Sequence, residues 1–128
     1  MRLLLDTHVF LWLLAEPERL GKHLGPLEDP ANELLLSAAS SWEIAIKVQL
    51  GRLDLPDDPR RYVPDRLQAI GVEPLPVEHN HALAVSQLPR LHRDPFDRLL
   101  VAQARHLRLR IVTADALIAR YQVETLLV

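Results

Sequence analysis

Leu3-Leu4-Leu5-Asp6-Thr7-His8 places an acid directly after a short apolar run near the start of the chain. Such a run, bounded by polar residues, is typical of a strand that is buried on both faces of a parallel sheet. A helical pattern follows from Thr7 to about Ala15. The stretch therefore predicts a buried strand that leads straight into a helix, with Asp6 at the junction.

The same alternation of short apolar runs and helical patterns continues along the chain. Further strands are predicted at 33–36, 72–75, 110–113 and 123–128, and further helices at about 38–50, 66–70, 79–88, 95–107 and 114–120. A stretch rich in Pro and Asp from Pro56 to Pro64 is the best candidate for a linker. Strands that alternate with helices predict crossover connections and a mostly parallel sheet covered on both faces. The length of 128 residues fits a single α/β domain over 1–128.

The composition is that of an ordinary globular chain, with 48% hydrophobic and 25% charged residues and a net charge of -2. The absence of cysteine excludes a disulfide scaffold, a thiolate nucleophile and a Cys-based zinc site. No apolar run is long enough to span a membrane and no signal-peptide pattern is present, so we expect a cytoplasmic protein. The charge balance gives no sign of a broad basic surface.

Two aspartates directly follow predicted strands. Asp6 follows the first strand, and Asp115 lies just beyond Ile111-Val112-Thr113. In open parallel sheets, ligands bind outside the carboxyl ends of the strands, so both residues are candidates for a site. Asp is also a preferred helix N-cap, and each of these residues precedes a predicted helix. For either one alone, capping is the more common role.

Glu43 has two interpretations. Together with Ser40 it matches the Ser-x-x-Glu capping box, in which the Glu side chain reaches back to the start of the helix. If the cap is instead Ser37, which follows the strand, Glu43 lies nearly two turns into the helix and cannot reach back. The sequence leaves both interpretations open.

His92-Arg93-Asp94-Pro95-Phe96-Asp97-Arg98 is the most informative segment of the chain. Pro95 favours the first helical position, which makes Asp94 the N-cap and Asp97 the third helical residue. Asp97 then shares a face with the apolar residues expected to pack on the sheet: Leu100, Val101 and Ala104. A carboxylate in such a stripe is costly unless a cation or donors satisfy it. Asp97 is therefore the better ligand candidate and Asp94 the better cap.

Four carboxylates from four segments are thus predicted to meet at one edge of the sheet: Asp6, Glu43, Asp97 and Asp115. Such a cluster repels itself, so it needs protons or a cation. An all-oxygen site suits Mg²⁺ or Mn²⁺. Outside these acids the chain has a small excess of basic residues, so the overall negative charge does not exclude nucleic acid.

The ordered set of motifs resembles the PIN domain family, and within it the VapC-type toxins. The matching stretches are Leu3 to His8, Ser37 to Lys47, His92 to Leu100 with Ala102 and Ala104 beyond, and Ile111 to Asp115. The resemblance implies a three-layer parallel α/β/α sandwich. It also implies an endoribonuclease dependent on one or two divalent metal ions, and a small antitoxin protein that blocks its site.

By position, the resemblance carries the family's four acids onto Asp6, Glu43, Asp97 and Asp115. Thr7, Thr113 and Asp94 are secondary candidates, of which Thr113 matches a polar position beside the last acid and Asp94 is typical of a subgroup only. Many relatives carry Asn or Ser where this chain has His8. We expect Asp6 and Asp97 to be the principal metal ligands. Glu43 would act through water or as a base, and Asp115 would complete an outer site.

Other side chains near the predicted site are candidates for RNA contact. Lys47, Arg93 and Arg98 lie nearest the acids and are the best candidates to hold phosphates. Three aromatic residues in apolar helix faces are capable of stacking on bases, but a core or interface role is favoured: Trp12, Trp42 and Phe96. His8 and His92 are interpreted as structural or substrate-facing residues rather than metal ligands.

The sequence therefore predicts a Mg²⁺- or Mn²⁺-dependent endoribonuclease of the toxin–antitoxin type. Its expected partners are RNA, an antitoxin protein and a second copy of the chain, with the apolar helix Val9 to Ala15 and the 56–64 region as candidate contact surfaces. The alternative is a non-catalytic module of the same fold that binds RNA or protein. A dinucleotide-binding fold is excluded because no Gly-x-Gly-x-x-Gly follows the first strand.

Overall fold

A computed structural model describes residues 1–128 of the chain. Its five strands are β1 (Arg2–Leu5), β2 (Glu33–Ser37), β3 (Val72–Leu75), β4 (Arg110–Thr113) and β5 (Thr125–Leu127). Its α-helices are α1 (Thr7–Ala15), α2 (Leu24–Glu28), α3 (Ala38–Gln49), α4 (Pro59–Ile70), α5 (His79–Ala84) and α6 (Pro95–Leu107). Short 3-10 segments lie at Pro17–His23, Val85–Gln87 and Ile118–Arg120.

The five strands form one parallel sheet in the order β3-β2-β1-β4-β5. In the centre, Leu4 of β1 pairs with Leu35 of β2 on one side and with Ile111 of β4 on the other. The prediction of a parallel sheet is confirmed, and β3 with Pro74 lies at its edge as expected for a strand that contains proline. Strands β2 and β3 lie on one side of β1, and β4 and β5 lie on the other. In such folds ligands bind where the strand order switches sides, which here is between β1 and β4.

Helices cover both faces of the sheet, which confirms the three-layer α/β/α sandwich. Because side chains alternate along a strand, Leu3 and Leu5 of β1 point to one face and Leu4 to the other. Leu3 and Leu5 share a core with residues of α1, α3 and α4 such as Phe10, Ile44 and Val63. Leu4 packs on the opposite side with α6 residues such as Leu100.

The linker prediction for Pro56 to Pro64 is wrong in its second half. Helix α4 begins at Pro59, where Asp58 is the N-cap and accepts the Arg60 N–H at 2.9 Å. Proline at the first helical position lacks only an N–H that would have no helical partner, so it starts the helix rather than preventing it. The helix continues through Pro64, whose side chain is on the exposed face.

Two further segments differ from the prediction. The helix expected at 114–120 is only the 3-10 turn at Ile118–Arg120, and the helix at 79–88 divides into α5 and the 3-10 segment at Val85–Gln87. Helix α2 and the 3-10 segment before it were not predicted, because Pro17, Gly21 and Gly25 interrupt any helical pattern there. No helix is both long enough and apolar enough to cross a bilayer.

A candidate metal centre at the carboxyl edge of the sheet

Asp6 links β1, α1 and β4 at the centre of this edge. Its Oδ1 accepts the His8 N–H at 3.2 Å, which caps α1, and its Oδ2 accepts the Thr113 hydroxyl at 2.6 Å. The Asp6 side chain therefore caps the helix and faces β4 at the same time, and only 4% of the residue is exposed. Burial favours the neutral acid, but the His8 and Thr113 contacts outweigh it and lower the pKa of Asp6. The structure thus holds an ionised carboxylate here.

His8, whose role was left open, lies beside Asp6 at the rim of the site. Its Nδ1 is 3.7 Å from Oδ1 of Asp6, and its side chain is 58% exposed. The interaction with Asp6 raises the pKa of His8, since the carboxylate stabilises the protonated ring. Thr7, a secondary candidate, is buried and donates its hydroxyl to Ser40 Oγ at 2.8 Å. Thr7 therefore connects α1 to α3.

Thr113 also connects Asp6 to Asp115. Its Oγ1 accepts the Asp115 N–H at 3.0 Å while its hydroxyl donates to Asp6. The two carboxylate oxygens of Asp115 have different partners. Oδ1 accepts the Leu117 N–H at 2.9 Å, and Oδ2 faces the ring of His92. As with Asp6, local capping and a position in the cluster occur together.

Asp97 is the third residue of α6 and is not its N-cap. Asp94 is the N-cap, as Pro95 predicted, and its Oδ1 accepts the N–H groups of Phe96 at 2.8 Å and Asp97 at 3.4 Å. Burial and the negative charges of Asp6 and Asp94 raise the pKa of Asp97 to about 7. At neutral pH this carboxyl group is therefore protonated in a substantial share of molecules, because burial and the neighbouring negative charges disfavour its ionised form.

Glu43 does not cap α3, because the helix begins at Ala38 and not after Ser40, as a capping box with Glu43 would require. The N-cap is Ser37, whose Oγ accepts the Ala39 N–H at 3.0 Å. Glu43 therefore lies nearly two turns into α3, is only 5% exposed, and pairs with Lys47 Nζ at 2.9 Å. Its charge contributes to the raised pKa of Asp97, so the two acids share one electrostatic environment.

His92 contacts two of the acids directly, a contact that the sequence alone does not predict. Its Nε2 lies 2.7 Å from Oδ2 of Asp115 and 3.2 Å from Oδ2 of Asp97. The ligand atoms of these three residues all lie within 4.8 Å of one another, and Asp6 and Glu43 are outside this group. Burial opposes a charged ring, but the hydrogen bond to Asp115 and the charge of Asp97 raise the pKa of His92. The one sequence feature that points to this contact is the position of His92 two residues before Asp94, the N-cap of α6.

The donor set fits a hard divalent cation. It offers buried carboxylate oxygens, with no thiol in the chain, which is the ligand chemistry of Mg²⁺ and Mn²⁺. Burial and the neighbouring carboxylates raise the pKa of Asp97, and a bound cation would offset both effects by stabilising the ionised form.

The sequence matches the PIN domain family over residues 3–124. The chain belongs to this family.

Relatives of this PIN domain include two curated ribonucleases of Mycobacterium tuberculosis. Ribonuclease VapC22 is 31% identical over 115 residues, which cover 88% of this chain and 85% of VapC22. Ribonuclease VapC16 is 51% identical over 55 residues, 43% of this chain, and the matched segment spans only 39% of VapC16. Among solved structures, VapBC2 from Rickettsia felis, bound to a promoter DNA fragment, has a TM-score of 0.75 at 15% identity, with 98% of both chains covered.

Two of the three basic residues predicted to contact RNA are engaged within the PIN domain itself. Lys47 pairs with Glu43. The Arg98 guanidinium donates to the carbonyls of Pro89 at 2.9 Å and Val85 at 3.3 Å. Arg93 is exposed and makes no ion pair, and with Arg90 it lines an open cleft of about 410 Å³, together with His92 and Arg98. Arg90 was not among the predicted residues.

The aromatic residues of the PIN domain divide into two groups. Trp12 is half-buried, with the Arg19 guanidinium 4.6 Å from its ring centroid, in line with the packing role that was favoured. Trp42 is 62% exposed, so it is not a core residue, and an interface role for it stays a prediction. Its ring packs edge-on against Phe96 at a centroid distance of 5.3 Å. The pair joins α3 to α6, one residue from Glu43 and one residue from Asp97.

Proposed function

We propose that this protein is a Mg²⁺- or Mn²⁺-dependent endoribonuclease and the toxin of a toxin–antitoxin pair. It hydrolyses RNA phosphodiester bonds at Asp6, Glu43, Asp97 and Asp115. The observation that carries the proposal is the gathering of strand-end and helix acids at one edge of the sheet, with the pKa of Asp97 raised to about 7. The likeness to ribonuclease VapC22 over most of both chains supports the reaction class.

In this proposal the acids hold one or two divalent ions. A bound cation lowers the pKa of water and neutralises the charge that develops on the phosphate. Asp6 and Asp97 are the principal ligands, and Asp115 completes the outer part of the site. Asp97 would hold the cation in its ionised form, which a nearby positive charge favours. Glu43, held by Lys47, orients the attacking water or accepts its proton.

The proposal assigns phosphate binding to the arginines beside the acids. Arg93 and Arg90 have no carboxylate partner within 4 Å and line the cleft next to His92. Phosphate contacts of this kind position a strand without reading its sequence. Arg98 contributes charge to the same cleft while its donors hold carbonyl groups.

The proposed partners are an antitoxin protein and a second copy of the chain. Solved structures of the same fold include VapBC2 and VapBC-1, and another is a toxin–antitoxin complex. Helix α1 offers four neighbouring, only partly buried apolar residues as a contact surface: Leu11, Trp12, Leu13 and Leu14. Such a ribonuclease acts in the cytoplasm, where its RNA substrates are.

Cleavage of a mixed RNA pool tests the proposal. We expect cleavage with Mg²⁺ or Mn²⁺, none with EDTA, and loss of at least 100-fold in rate for Asp6→Asn and Asp97→Asn, because each removes a charge from the cation site. Asp65→Asn, an exposed acid on α4, is the matched control and leaves the rate unchanged. If the wild-type chain binds RNA but cuts none with either metal, the non-catalytic alternative replaces the proposal.

A further inference from the structure

The His92 ring is fixed at each of its polar atoms. Its Nδ1 accepts the Asp94 N–H at 3.0 Å, and its Nε2 faces Oδ2 of Asp115 at 2.7 Å and Oδ2 of Asp97 at 3.2 Å. The His92 backbone N–H donates to the hydroxyl of Tyr121 at 2.9 Å. No part of the proposed reaction uses this residue, although it touches two of the acids.

The Asp94 amide decides where the proton on the His92 ring is. A ring nitrogen that accepts an N–H must offer a lone pair, so in the neutral ring the proton is on Nε2. Nε2 therefore donates to Asp115 and has no lone pair for a cation. The short distances among His92, Asp97 and Asp115 resemble a metal triad, but the ring held in this way is a donor.

Asp115 needs such a donor because little else holds it. Its side chain is 35% exposed, and its Oδ1 has one partner, the Leu117 N–H. An oxygen of Asp97 lies within 4.8 Å of one of its own, and the ionised form of Asp97 repels its carboxylate. With Oδ2 on His92, both oxygens are engaged and a single orientation of the Asp115 carboxylate is selected.

The loop that carries His92 is anchored from behind. Tyr121, which is buried, accepts the His92 N–H and also the Arg98 Nη1 at 3.3 Å. Arg98 donates in addition to the carbonyls of Pro89 and Val85 on either side of Leu88. These contacts give His92 a fixed base from which to hold Asp115.

We propose that His92 is a positioning residue. Its Nε2–H holds the Asp115 carboxylate beside Asp97. The two carboxylates are thereby oriented for a divalent cation before the cation binds. The inference rests on the proposed function only in taking these acids as cation ligands. His92 orients a ligand and does not bind the cation itself. Arg98 and Tyr121 hold the loop that carries His92.

Mn²⁺ binding to the metal-free full chain, measured by titration calorimetry, tests the inference. Groups that orient metal ligands typically contribute 10- to 100-fold in affinity, so we expect His92→Ala to weaken Mn²⁺ binding by about that factor. His92→Gln retains an amide N–H donor of similar reach and should recover most of the affinity. His79→Ala, an exposed histidine on α5, is the matched control and binds Mn²⁺ as the wild type does.

Two spectroscopic measurements separate positioning from ligation and from a general structural role. Nitrogen NMR of the metal-free protein should show the proton of the neutral His92 ring on Nε2. Pulsed EPR of the Mn²⁺-loaded wild type should show no directly bound imidazole nitrogen. A bound imidazole nitrogen, or an unchanged Mn²⁺ affinity in folded His92→Ala, overturns the inference.

The outcomes also distinguish this inference from the proposed function. A wild-type chain that binds Mn²⁺ but leaves RNA intact contradicts the ribonuclease proposal, while a weakened His92→Ala variant still supports positioning. A wild-type chain that binds neither Mn²⁺ nor Mg²⁺ overturns both.

Discussion

At the scale of single residues, Asp6 and Asp115 use their two carboxylate oxygens for different tasks. In each, one oxygen accepts an N–H two residues further along, from His8 or Leu117. The other oxygen faces a side chain from elsewhere in the fold, Thr113 or His92. A strand-end aspartate therefore caps the next segment and remains available to a site. Helix capping and a place in a functional site are therefore not exclusive roles for such an aspartate.

The raised pKa of Asp97 makes the stability of the metal-free protein depend on pH. The pKa is about 7 in the folded state against an ordinary 3.8, so between these values the folded state binds a proton that the unfolded state does not. The contribution of Asp97 to stability therefore falls as pH rises through this window. We expect metal-free Asp97→Asn to be more stable than the wild type at pH 8 by roughly 1–3 kcal/mol, and equally stable near pH 3.5. Urea denaturation in EDTA measures both.

The control for this prediction is the exposed acid Asp65 on α4. Asp65→Asn should leave the pH dependence unchanged, and saturating Mg²⁺ should remove the advantage of Asp97→Asn, because the cation compensates the wild-type carboxylate. If the stability difference between Asp97→Asn and the wild type stays constant from pH 4 to pH 8, the account of Asp97 is wrong.

Thr113 is predicted to support two acids through one hydroxyl. Thr113→Val removes the donor to Asp6 and the acceptor of the Asp115 N–H at a fully buried position. Unsatisfied buried groups cost about 1–3 kcal/mol each, so we expect a loss of that order in the free energy of unfolding, with weaker Mn²⁺ binding. Thr113→Ser keeps the hydroxyl and should retain metal affinity. Equal Mn²⁺ binding by the Val and Ser variants would refute the assignment.

At the scale of elements, the start of α6 is predictable from the sequence and its end is not. Asp94 and Pro95 mark its start, and the prediction of 95–107 is confirmed. Its C-cap is Arg108, at φ 57 and ψ 47, in the left-handed region that favours glycine. Helix α4 ends on Gly71 at φ 71, which carries no such strain. The strain at Arg108 arises from the tight passage into β4 and leaves no trace in the sequence.

Replacing Arg108 with glycine should relieve this strain. We expect Arg108→Gly to raise the free energy of unfolding by about 0.5–1 kcal/mol, since the arginine makes no ion pair that would be lost. Gly71→Ala, at the equivalent position of α4, should lower it by about 1 kcal/mol. Chemical denaturation of both variants checks the pair. Destabilisation by Arg108→Gly would show that its side chain stabilises the fold in another way.

The strands and the acids were predictable for identifiable physical reasons. A strand buried on both faces reads as a continuous apolar run, so β1, β2 and β4 stand out from their surroundings. The contact between His92 and Asp115 could not be predicted, because it joins residues 23 positions apart through the packing of a loop beside β4. The start of α3 was ambiguous because Ser37 and Ser40 are equally good caps, and only the strand end chooses between them.

At the scale of the whole molecule, the site joins the two layers of helices. Glu43 is on α3, which packs through Ile44 on one face of the sheet. Asp97 is on α6, which packs through Leu100 on the other face. Asp6 and Asp115 come from the neighbouring central strands between them. A cation bound by these acids would therefore connect parts of both cores.

Divalent metal should consequently stabilise the entire fold. At a Mg²⁺ concentration about 100 times the dissociation constant, binding to the folded state alone adds about 2.7 kcal/mol. We expect Mg²⁺ to raise the melting temperature of the wild type, and to have little effect on Asp97→Asn, when ionic strength is matched with NaCl. An equal rise in both proteins would indicate binding away from this cluster.

The exposure of Trp42 gives the molecule an internal optical probe. The chain has two tryptophans, and the other, Trp12, is half-buried beneath Arg19. In a Trp12→Phe variant the fluorescence would come from Trp42 alone, on a ring that packs on Phe96 at the boundary of the acidic cluster. Because tryptophan emission follows the polarity around the indole, a strand or protein that settles on this side of the domain would shift the emission to shorter wavelength. Encounters with this surface become visible in real time and without an attached dye.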